Sequence, residues 1–383
     1  SRFGLVRSLV RTYLDLASES AAGKIPNAEQ FESYKQFVME NAHILEIHPD
    51  LVLQQALATP GIVQKAAQNR RGSAIVNLNP NSQPRHSSLT MVVGAEVNAL
   101  DVADGVILCG DHAGNVTLYD EHTGRIGARV SPTQGQHRIC DCSFSADSKA
   151  LVVASGQSVF VYDRNLGLKY TLSAQHKAEV LCCVFSPDGT RICSGDTHGT
   201  LVIWDANSQT VEHAMPQAHT SSVTAVVWFG DRIVTSSADK TVVIRDTTLK
   251  PTVSIPAHKG IVNDVAVSTD GTAIASVGKD RLVKIWNLDG SCAMTLKGHN
   301  ENVSCVMFHP DGETLVTGSW DKTCKVWSLA TGEPQGEFTF LIHHRVNVVD
   351  VSAGNSFCSH GSDGHFIATG ASDNMARLWD YET

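Results

Sequence analysis

Residues 170–205 read YTLSAQHKAEVLCCVFSPDGTRICSGDTHGTLVIWD and contain four short apolar runs separated by turn residues. The runs are YTLSAQH, VLCCVFS, RICSG and TLVIWD, and Pro187-Asp188-Gly189 stands between the second and the third. Asp and Gly suit a tight hairpin because both tolerate positive φ and Asp can bond its own backbone. This stretch therefore predicts four short antiparallel strands.

The ending of this unit recurs along the chain. Seven apolar runs end in a bulky residue followed by a polar one; these anchors are Tyr119, Tyr162, Trp204, Arg245, Trp286, Trp327 and Trp379. The first six are 41 to 43 residues apart and the last step is 52. A fixed period of this length indicates one supersecondary unit repeated. Four strands repeated seven times predict a mainly β fold, a seven-bladed β-propeller.

Three segments follow from the patterns. Residues 1–70 have apolar residues at three- and four-residue spacing, which predicts a small N-terminal α-helical segment. Residues 71–87 are rich in Asn, Ser, Pro and Arg and are interpreted as a linker. Residues 88–383 hold the seven repeats. The chain begins without Met, and we interpret it as a fragment or a processed segment.

Ring closure needs a strand from outside the repeats. The chain stops at Asp380 to Thr383, after the third strand of the last blade, so a fourth strand must come from elsewhere. The run at residues 88–93, SLTMVV, is the only spare strand of the right kind. We expect it to close the last blade.

The composition and the absence of known motifs argue against several classes of function. No apolar stretch is long enough to span a bilayer. The ten cysteines form no CxxC pair and no zinc-like spacing with histidine, so we expect reduced thiols in a reducing, cytoplasmic compartment. The adjacent pair His343-His344 would point to opposite faces of an extended segment, and we predict no metal site. Phosphate-loop, GxSxG and HExxH motifs are absent, so we expect no enzyme, no catalytic residues and no cofactor.

The charge is uneven. The chain has a net charge of −9, and residues 1–86 carry nine Lys and Arg against seven Asp and Glu, which leaves −11 for residues 87–383. An acidic domain lacks the footprint that nucleic-acid binding needs, so no nucleic acid is expected. The balance favours a basic partner.

The repeats resemble the WD-repeat family over residues 88–383. The marks that carry the resemblance are His258, Ser276, Asp280 and Trp286 in repeat five, and Gly298-His299, Thr317, Asp321 and Trp327 in repeat six. In that family such a His, Ser/Thr, Asp and Trp form a buried hydrogen-bonded chain. The same structural network is implied for His219, Thr235 and Asp239 in repeat four and for Thr369, Asp373 and Trp379 in repeat seven.

Other repeats depart from this pattern. Repeat four has Arg245 at the Trp position, and repeat three has His176, Ser194 and Trp204 but His198 where the Asp should be. Repeats one and two have tyrosine anchors, and His137 falls at the position of the network histidine. The last repeat is longer, with extra residues around Ser352–Gly361, which we interpret as a tolerated loop insertion.

The resemblance also implies a binding rim. In WD-repeat propellers the residue before the turn Asp faces the rim used for ligands, which would include His112, Thr197, Ala238, Lys279, Trp320 and Ser372. Residues nearer the channel would be Glu96, Arg138, Glu179, Ser222, Asn302 and Arg345. Trp320 occupies none of the structural positions that define the repeat. Trp and Arg are enriched in binding hot spots. The alternative is that Trp320 is a surface aromatic residue that packs on a neighbouring loop.

The stretch Tyr34–Gln68 resembles the helical segment before the propeller in NACHT- or NB-ARC-type signalling ATPases with WD repeats, relatives of telomerase-associated protein and of the apoptotic protease-activating factor. The resemblance implies an NTPase module upstream and a propeller that acts as a sensor and autoinhibitory arm. Two alternatives stay open: a stand-alone scaffold or peptide reader that binds a basic tail at the channel mouth, and a small enzyme or ligand-binding propeller.

Overall fold

The computed structural model describes residues 89–332, 334–338, 345–351 and 366–380, without the side chains of 334–338, 350–351, 366 and 380. The helical segment and linker inferred for residues 1–87, the pair His343-His344 and the insertion at 352–361 lie outside the described residues.

Seven four-stranded antiparallel sheets make up the described residues. We call the sheets blades and label their strands a to d from the inside outward. Blade 1 holds β2 (Val97–Ala103), β3 (Val106–Asp111), β4 (Val116–Asp120) and β5 (Ile126–Val130). Blade 2 holds β6 (Ile139–Phe144), β7 (Ala150–Ser155), β8 (Ser158–Asp163) and β9 (Leu168–Leu172). Blade 3 holds β10 (Val180–Phe185), β11 (Arg191–Asp196), β12 (Leu201–Asp205) and β13 (Thr210–Met215).

The remaining blades follow the same plan. Blade 4 holds β14 (Val223–Phe229), β15 (Arg232–Ser237), β16 (Val242–Asp246) and β17 (Pro251–Ile255). Blade 5 holds β18 (Val262–Val267), β19 (Ala273–Gly278), β20 (Leu282–Asn287) and β21 (Cys292–Lys297). Blade 6 holds β22 (Val303–Phe308), β23 (Thr314–Ser319), β24 (Cys324–Ser328) and β25 (Pro334–Phe338). Blade 7 holds β26 (Val346–Val351), β27 (Phe366–Ala371), β28 (Met375–Asp380) and β1 (Leu89–Val92).

The blades close into a ring. Each a strand packs beside the a strand of the next blade, and β26 of blade 7 packs beside β2 of blade 1. The seven-bladed β-propeller expected from the repeat period is therefore confirmed. The fourth strand of blade 7 is β1, which pairs antiparallel with β28 in the register Leu89↔Leu378 to Val92↔Met375.

Glycine in the b strands lets neighbouring blades approach. A Cβ at Gly195 would lie 2.8 Å from the side chain of Val223 in the next blade, and one at Gly318 would lie 2.8 Å from Val346. Real Cβ atoms essentially never come so close, so these positions leave no room for a side chain. The apolar core consequently lies between successive blades rather than within one sheet.

The antiparallel order of each blade separates two kinds of turns. The a–b and c–d turns lie at one end of the ring, which we call the lower end, because successive strands run in opposite directions. The b–c turns and the d–a connections between blades lie at the opposite, upper end. Both sets of rim and channel residues named from the sequence belong to the upper end.

Candidate interaction surface

A buried hydrogen-bonded chain holds the upper end of blade 6. His299 Nδ1 lies 2.9 Å from Asp321 Oδ2, and His299 Nε2 lies 2.8 Å from Thr317 Oγ1. The Trp327 Nε1–H donates to the same hydroxyl at 2.8 Å. This chain ties the d–a connection to the b–c turn and to strand c. Because every polar atom in it has a partner, its burial carries no desolvation penalty for an unmade bond.

Blade 5 repeats the arrangement. His258 Nδ1 lies 2.8 Å from Asp280 Oδ1, His258 Nε2 lies 2.8 Å from Ser276 Oγ, and Trp286 Nε1–H donates to that hydroxyl at 2.8 Å. The network residues predicted from repeats five and six thus come together in space.

Burial and hydrogen bonding act in opposite directions on these acids. Burial would raise the pKa of Asp321, but hydrogen bonds from His299 and Thr323 outweigh it and hold that pKa well below its usual range. Burial lowers the pKa of His258, although Asp280 opposes that shift. The charged form of the Asp321 carboxylate and the neutral form of the His258 ring are therefore favoured.

Blade 3 corrects the sequence analysis, which found His198 where an aspartate was needed. Asp196, two residues earlier, supplies the carboxylate: its Oδ2 lies 2.9 Å from His176 Nδ1. His176 Nε2 and Trp204 Nε1 both meet Ser194 Oγ, at 2.7 and 2.8 Å. His198 is exposed and gives only its backbone N–H to Asp196. The carboxylate can come from the end of strand b because its side chain points toward the same buried imidazole.

Blade 4 keeps the network although its anchor is Arg245. His219 bridges Asp239 and Thr235 at 3.0 and 2.8 Å. The guanidinium of Arg245, 2% exposed, donates to the backbone oxygens of Ala218 and Leu249 at 2.5 and 3.1 Å. No carboxylate pairs with it among the described residues. Backbone dipoles thus compensate a buried cation.

The remaining blades vary further. In blade 7, Trp379 Nε1–H donates to Thr369 Oγ1 at 2.9 Å, and Asp373 forms an ion pair with Arg377. His137 of blade 2 was expected at the network position, but it is exposed and its ring lies against Gly156. That histidine has no turn aspartate to bind, because the b–c turn of blade 2 is only Gly156-Gln157. The expectation for His137 was wrong for this reason.

Three acidic side chains on a strands, those of Asp101, Asp141 and Asp264, were missed from the sequence. Asp101 Oδ2 accepts the N–H of Phe144 at 2.6 Å. Asp141 Oδ2 accepts the N–H of Cys183 at 2.8 Å, and Asp264 Oδ2 accepts that of Val306 at 2.9 Å. Each carboxyl thus links its blade to the next. Burial raises the pKa of Asp141 to about 6 and that of Asp264 to about 7. The sequence signal that could have revealed these acids is that each one interrupts an apolar strand.

Backbone hydrogen bonds join the two rings of residues named from the sequence. In each pair the rim residue donates its N–H to the carbonyl oxygen of the channel residue in its own blade. The pairs are His112 to Glu96 (2.8 Å), Thr197 to Glu179 (2.9 Å), Ala238 to Ser222 (3.0 Å), Trp320 to Asn302 (2.9 Å) and Ser372 to Arg345 (3.0 Å). Lys279 donates to Ile261 in the same way, at 2.9 Å.

Among the described residues, Trp320 is one of three large apolar residues that are exposed to solvent. The side chain is 39% exposed, and the guanidinium carbon of Arg345 lies 4.3 Å from its ring centroid. Such stacking holds a cation against an aromatic face and contributes about 0.5–1 kcal/mol at an exposed site. Trp320 and Arg345 come from adjacent blades, so they form one composite surface.

The other channel residues form polar contacts across blades. Arg138 makes a bidentate ion pair with Glu179, at 3.1 and 3.0 Å. Glu96 accepts a hydrogen bond from Asn347 Nδ2 at 2.9 Å. Asn302 Oδ1 accepts one from Asn263 Nδ2 at 2.6 Å. These contacts fix the side chains that surround the channel mouth.

The described residues include nine free cysteines, of which Cys292 is exposed. Within residues 89–332 and the described segments that follow, no group of three or more His, Cys, Asp or Glu side chains could hold a metal ion. The described part of the chain also has no helix long and apolar enough to cross a membrane.

Parts of the chain are similar in sequence to parts of several known proteins. The Intraflagellar transport protein 122 homolog of Homo sapiens is 36% identical over 93 residues, which are 24% of this chain and 7% of that protein. Telomerase protein component 1 of Rattus norvegicus is 30% identical over 138 residues, 34% of this chain and 5% of that protein. Protein Atg16l2 of Mus musculus is 26% identical over 169 residues, 42% and 26% respectively.

The chain thus spans less than a tenth of the length of the first two relatives and about a quarter of the length of the third. The family described as WD domain, G-beta repeat matches residues 167–205, 211–246, 249–287, 290–328 and 336–380. Each matched segment begins in or just before the d strand of one blade and ends at the c strand of the next, so that together they run from β9 of blade 2 to β28 of blade 7. Since they cover just over half of the sequence, this chain belongs to the WD domain, G-beta repeat (WD40) family.

Proposed function

We propose that this chain is a non-enzymatic propeller that binds a protein partner on the rim of its upper end, with Trp320 as the central contact. The observation that carries the proposal is that Trp320 is exposed, is held by Arg345 of the next blade, and takes no part in the buried network. A large apolar side chain fixed at the surface is typical of a binding hot spot.

The proposed contact residues lie in the upper-end turns and connections of blades 1 to 3 and 5 to 7. They are Trp320, Lys279, Arg345, Arg138, Glu179, Asn302 and His112. Strands flank each of them, and backbone hydrogen bonds between rim and channel residues fix the turns. A preorganised surface loses less conformational entropy on binding, which supports an interaction role.

The binding test compares two double variants of the full chain. Trp320→Ala with Lys279→Ala removes the central contact, whereas Leu168→Ala with Lys169→Ala removes another exposed apolar–cationic pair, from blade 2. Partners captured from the source cells are identified by crosslinking and mass spectrometry, and melting temperatures are measured for all proteins. We expect the rim variant to lose a partner that the control variant keeps, with both melting temperatures unchanged.

Two outcomes count against the rim. If the two variants capture the same partners equally well, Trp320 does not bind them. If the rim variant loses stability in proportion to binding, Trp320 is a packing residue.

We further propose that the propeller is the C-terminal sensor and autoinhibitory arm of a NACHT/NB-ARC-type signalling ATPase in a reducing, intracellular compartment. The resemblance of residues 34–68 and the similarity to Telomerase protein component 1 support this context. The free cysteines agree with a reducing compartment. The coding sequence upstream of Ser1 tests it: a phosphate loop followed by a winged-helix region is expected, and a full-length gene without them leaves a stand-alone scaffold.

A further inference from the structure

The upper end of blades 4 to 7 carries a crescent of cationic side chains. We propose that the partner segment bound beside Trp320 is acidic, an inference that rests on the proposed function and names the chemistry of that partner. The crescent consists of Lys240, Lys259, Lys279, Arg281, Lys322 and Arg345. All six are exposed, and none forms an ion pair with a described residue.

The crescent is continuous. The carbonyl oxygen of Lys240 accepts the N–H groups of Ala257 and His258, which joins the turn of blade 4 to the connection that carries Lys259. Gly260 packs against Lys279 so closely that a Cβ there would lie 3.1 Å from the Lys279 Cβ. These contacts place the cationic side chains of two blades along one edge.

A second set of contacts extends the crescent to blade 7. Asn263 of blade 5 bonds Asn302 of blade 6, whose carbonyl oxygen accepts the Trp320 N–H. Arg345 then stacks on the Trp320 ring. Trp320 therefore shares the b–c turn of blade 6 with Lys322, and its ring contacts Arg345 of blade 7.

Acidic residues at this end do not neutralise the crescent by contact. Asp239, Asp280 and Asp321 are held by histidine and by backbone N–H groups, and their side chains are 6 to 11% exposed. Among the described turns and connections of blades 4 to 6, Glu301 is the one exposed acid at the upper end. An incoming chain thus meets lysine and arginine first.

The acidic excess of the propeller lies at the other end. Thirteen acids stand in described lower-end turns or at the strand ends that lead into them, against six basic residues at Arg125, Lys149, Arg164, Arg191, Arg232 and Lys250. The acids are Asp104, Asp120, Glu121, Asp147, Asp163, Asp188, Asp205, Asp231, Asp246, Asp270, Asp289, Asp311 and Glu313. Strand ends at the two faces are separated by five or six residues of strand, or about 16–20 Å. That separation is about two Debye lengths at physiological salt, so each end presents its own charge.

Size and composition favour a short protein segment over other anions. A long nucleic acid or a membrane would extend past the crescent toward Glu96 and Glu179 of blades 1 and 3, and the protein as a whole is acidic. A segment in which carboxylates flank an apolar side chain fits better: the carboxylates pair with Lys279, Lys322 and Arg345, and the apolar group covers Trp320. Complementary charge of this kind raises the association rate and excludes basic chains.

Backbone geometry supplies a variant that removes charge without disturbing the fold. Lys240, Arg281 and Lys322 have positive φ of 76°, 69° and 72°, and Asn374 occupies the equivalent turn position of blade 7 with φ of 66°. Asparagine tolerates this conformation better than lysine or arginine. The triple variant Lys240→Asn, Arg281→Asn, Lys322→Asn should therefore keep or slightly raise the melting temperature.

The experiment measures fluorescence anisotropy with labelled twelve-residue probes on the full chain. The probes are a Glu-rich peptide with one central Leu, a Lys-rich peptide of the same design, and a single-stranded RNA; sedimentation with phosphatidylserine vesicles tests a membrane. We expect the acidic peptide to bind, to weaken as salt rises, and to lose at least about tenfold in affinity with the triple variant. The lower-end control Arg125→Asn, Lys149→Asn, Lys250→Asn should bind it as wild type does.

Other outcomes of the binding experiment would contradict the acidic partner or the proposed function. Tighter binding of the Lys-rich peptide, the RNA or the vesicles overturns the acidic segment, as does equal weakening by the lower-end control. If partner capture depends on Trp320 but survives the triple asparagine variant, the proposed function stands and the acidic partner fails. If capture is independent of both Trp320 and the crescent, the proposed function itself fails.

Discussion

Asp196 Oδ2 lies 2.9 Å from Nδ1 of His176, so a carboxylate two positions before the expected one completes the buried network of blade 3. Both side chains are about 1% exposed. Burial would raise the pKa of Asp196, but the hydrogen bonds from His176 and from the Thr200 N–H hold it below its usual value. The network thus depends on where a carboxylate can reach rather than on one sequence position.

Replacing Asp196 by Ser should destabilise the propeller by about 2–3 kcal/mol, because His176 Nδ1 is left buried without its partner. The double variant Asp196→Ser, His198→Asp recreates the Ser237-Ala238-Asp239 arrangement of blade 4. It should regain most of the lost free energy in urea unfolding. A double variant no more stable than the single one would show that the position of the carboxylate in blade 3 cannot be exchanged.

Arg245 offers a test of the buried cation in blade 4. Substitution by Trp restores the anchor of the other blades and removes a charge that no carboxylate compensates, so stability should stay equal or rise. Substitution by Ala should cost about 2–4 kcal/mol, because it leaves a cavity and unpaired carbonyls. Thermal unfolding of the two variants and of the wild type distinguishes the effects; an Arg245→Trp protein that loses as much stability as Arg245→Ala would mean that the guanidinium bonds are essential.

Asp264 should make stability depend on pH. Burial raises its pKa to about 7 in the folded chain from an ordinary 3.8, so its favourable contribution is complete below pH 3.8 and is lost as pH rises through 7. Between pH 5.5 and 8.5 this loss amounts to about 1–2 kcal/mol.

The measurement is the difference in melting temperature between those two pH values. Asp264→Ala should shrink the difference relative to wild type, whereas Asp270→Ala, in a lower-end turn where hydrogen bonds lower the pKa, should leave it unchanged. An unchanged difference in Asp264→Ala would mean that the carboxyl titrates as it does in the unfolded chain.

Ring closure by β1 can be tested by a single charge. Met91 is 3% exposed and lies opposite Ala376 of β28, so Met91→Asp should weaken the last blade and cost at least about 3 kcal/mol. Ile126, 57% exposed in blade 1, is the control, and Ile126→Asp should change little. Hydrogen exchange read by mass spectrometry should show faster exchange in β26 to β28 of Met91→Asp. Equal protection of those strands in the two variants would contradict a closing role for β1.

The blades could be predicted because their signals are local. Alternating apolar residues, Asp-Gly turns and the period of the anchors lie within a few residues of one another, and they specify strands and hairpins without knowledge of the rest of the chain. The four-residue networks of blades 5 and 6 were expected from the resemblance to the WD-repeat family, whose marks stand in register in both repeats. His137 failed because the period marks its position but not the missing turn carboxylate.

The sequence alone determined seven four-stranded blades, because hydrophobic period and turn chemistry are encoded at short range. The tertiary structure decided which side chains meet: Asp196 with His176, Arg345 with Trp320, and Asp264 with the backbone of blade 6. It also decided that six exposed cations line the upper end of blades 4 to 7 and that acids outnumber basic residues in the lower-end turns, although the net charge had favoured a basic partner. Contacts across blades depend on how neighbouring blades pack against one another, which no local sequence pattern specifies.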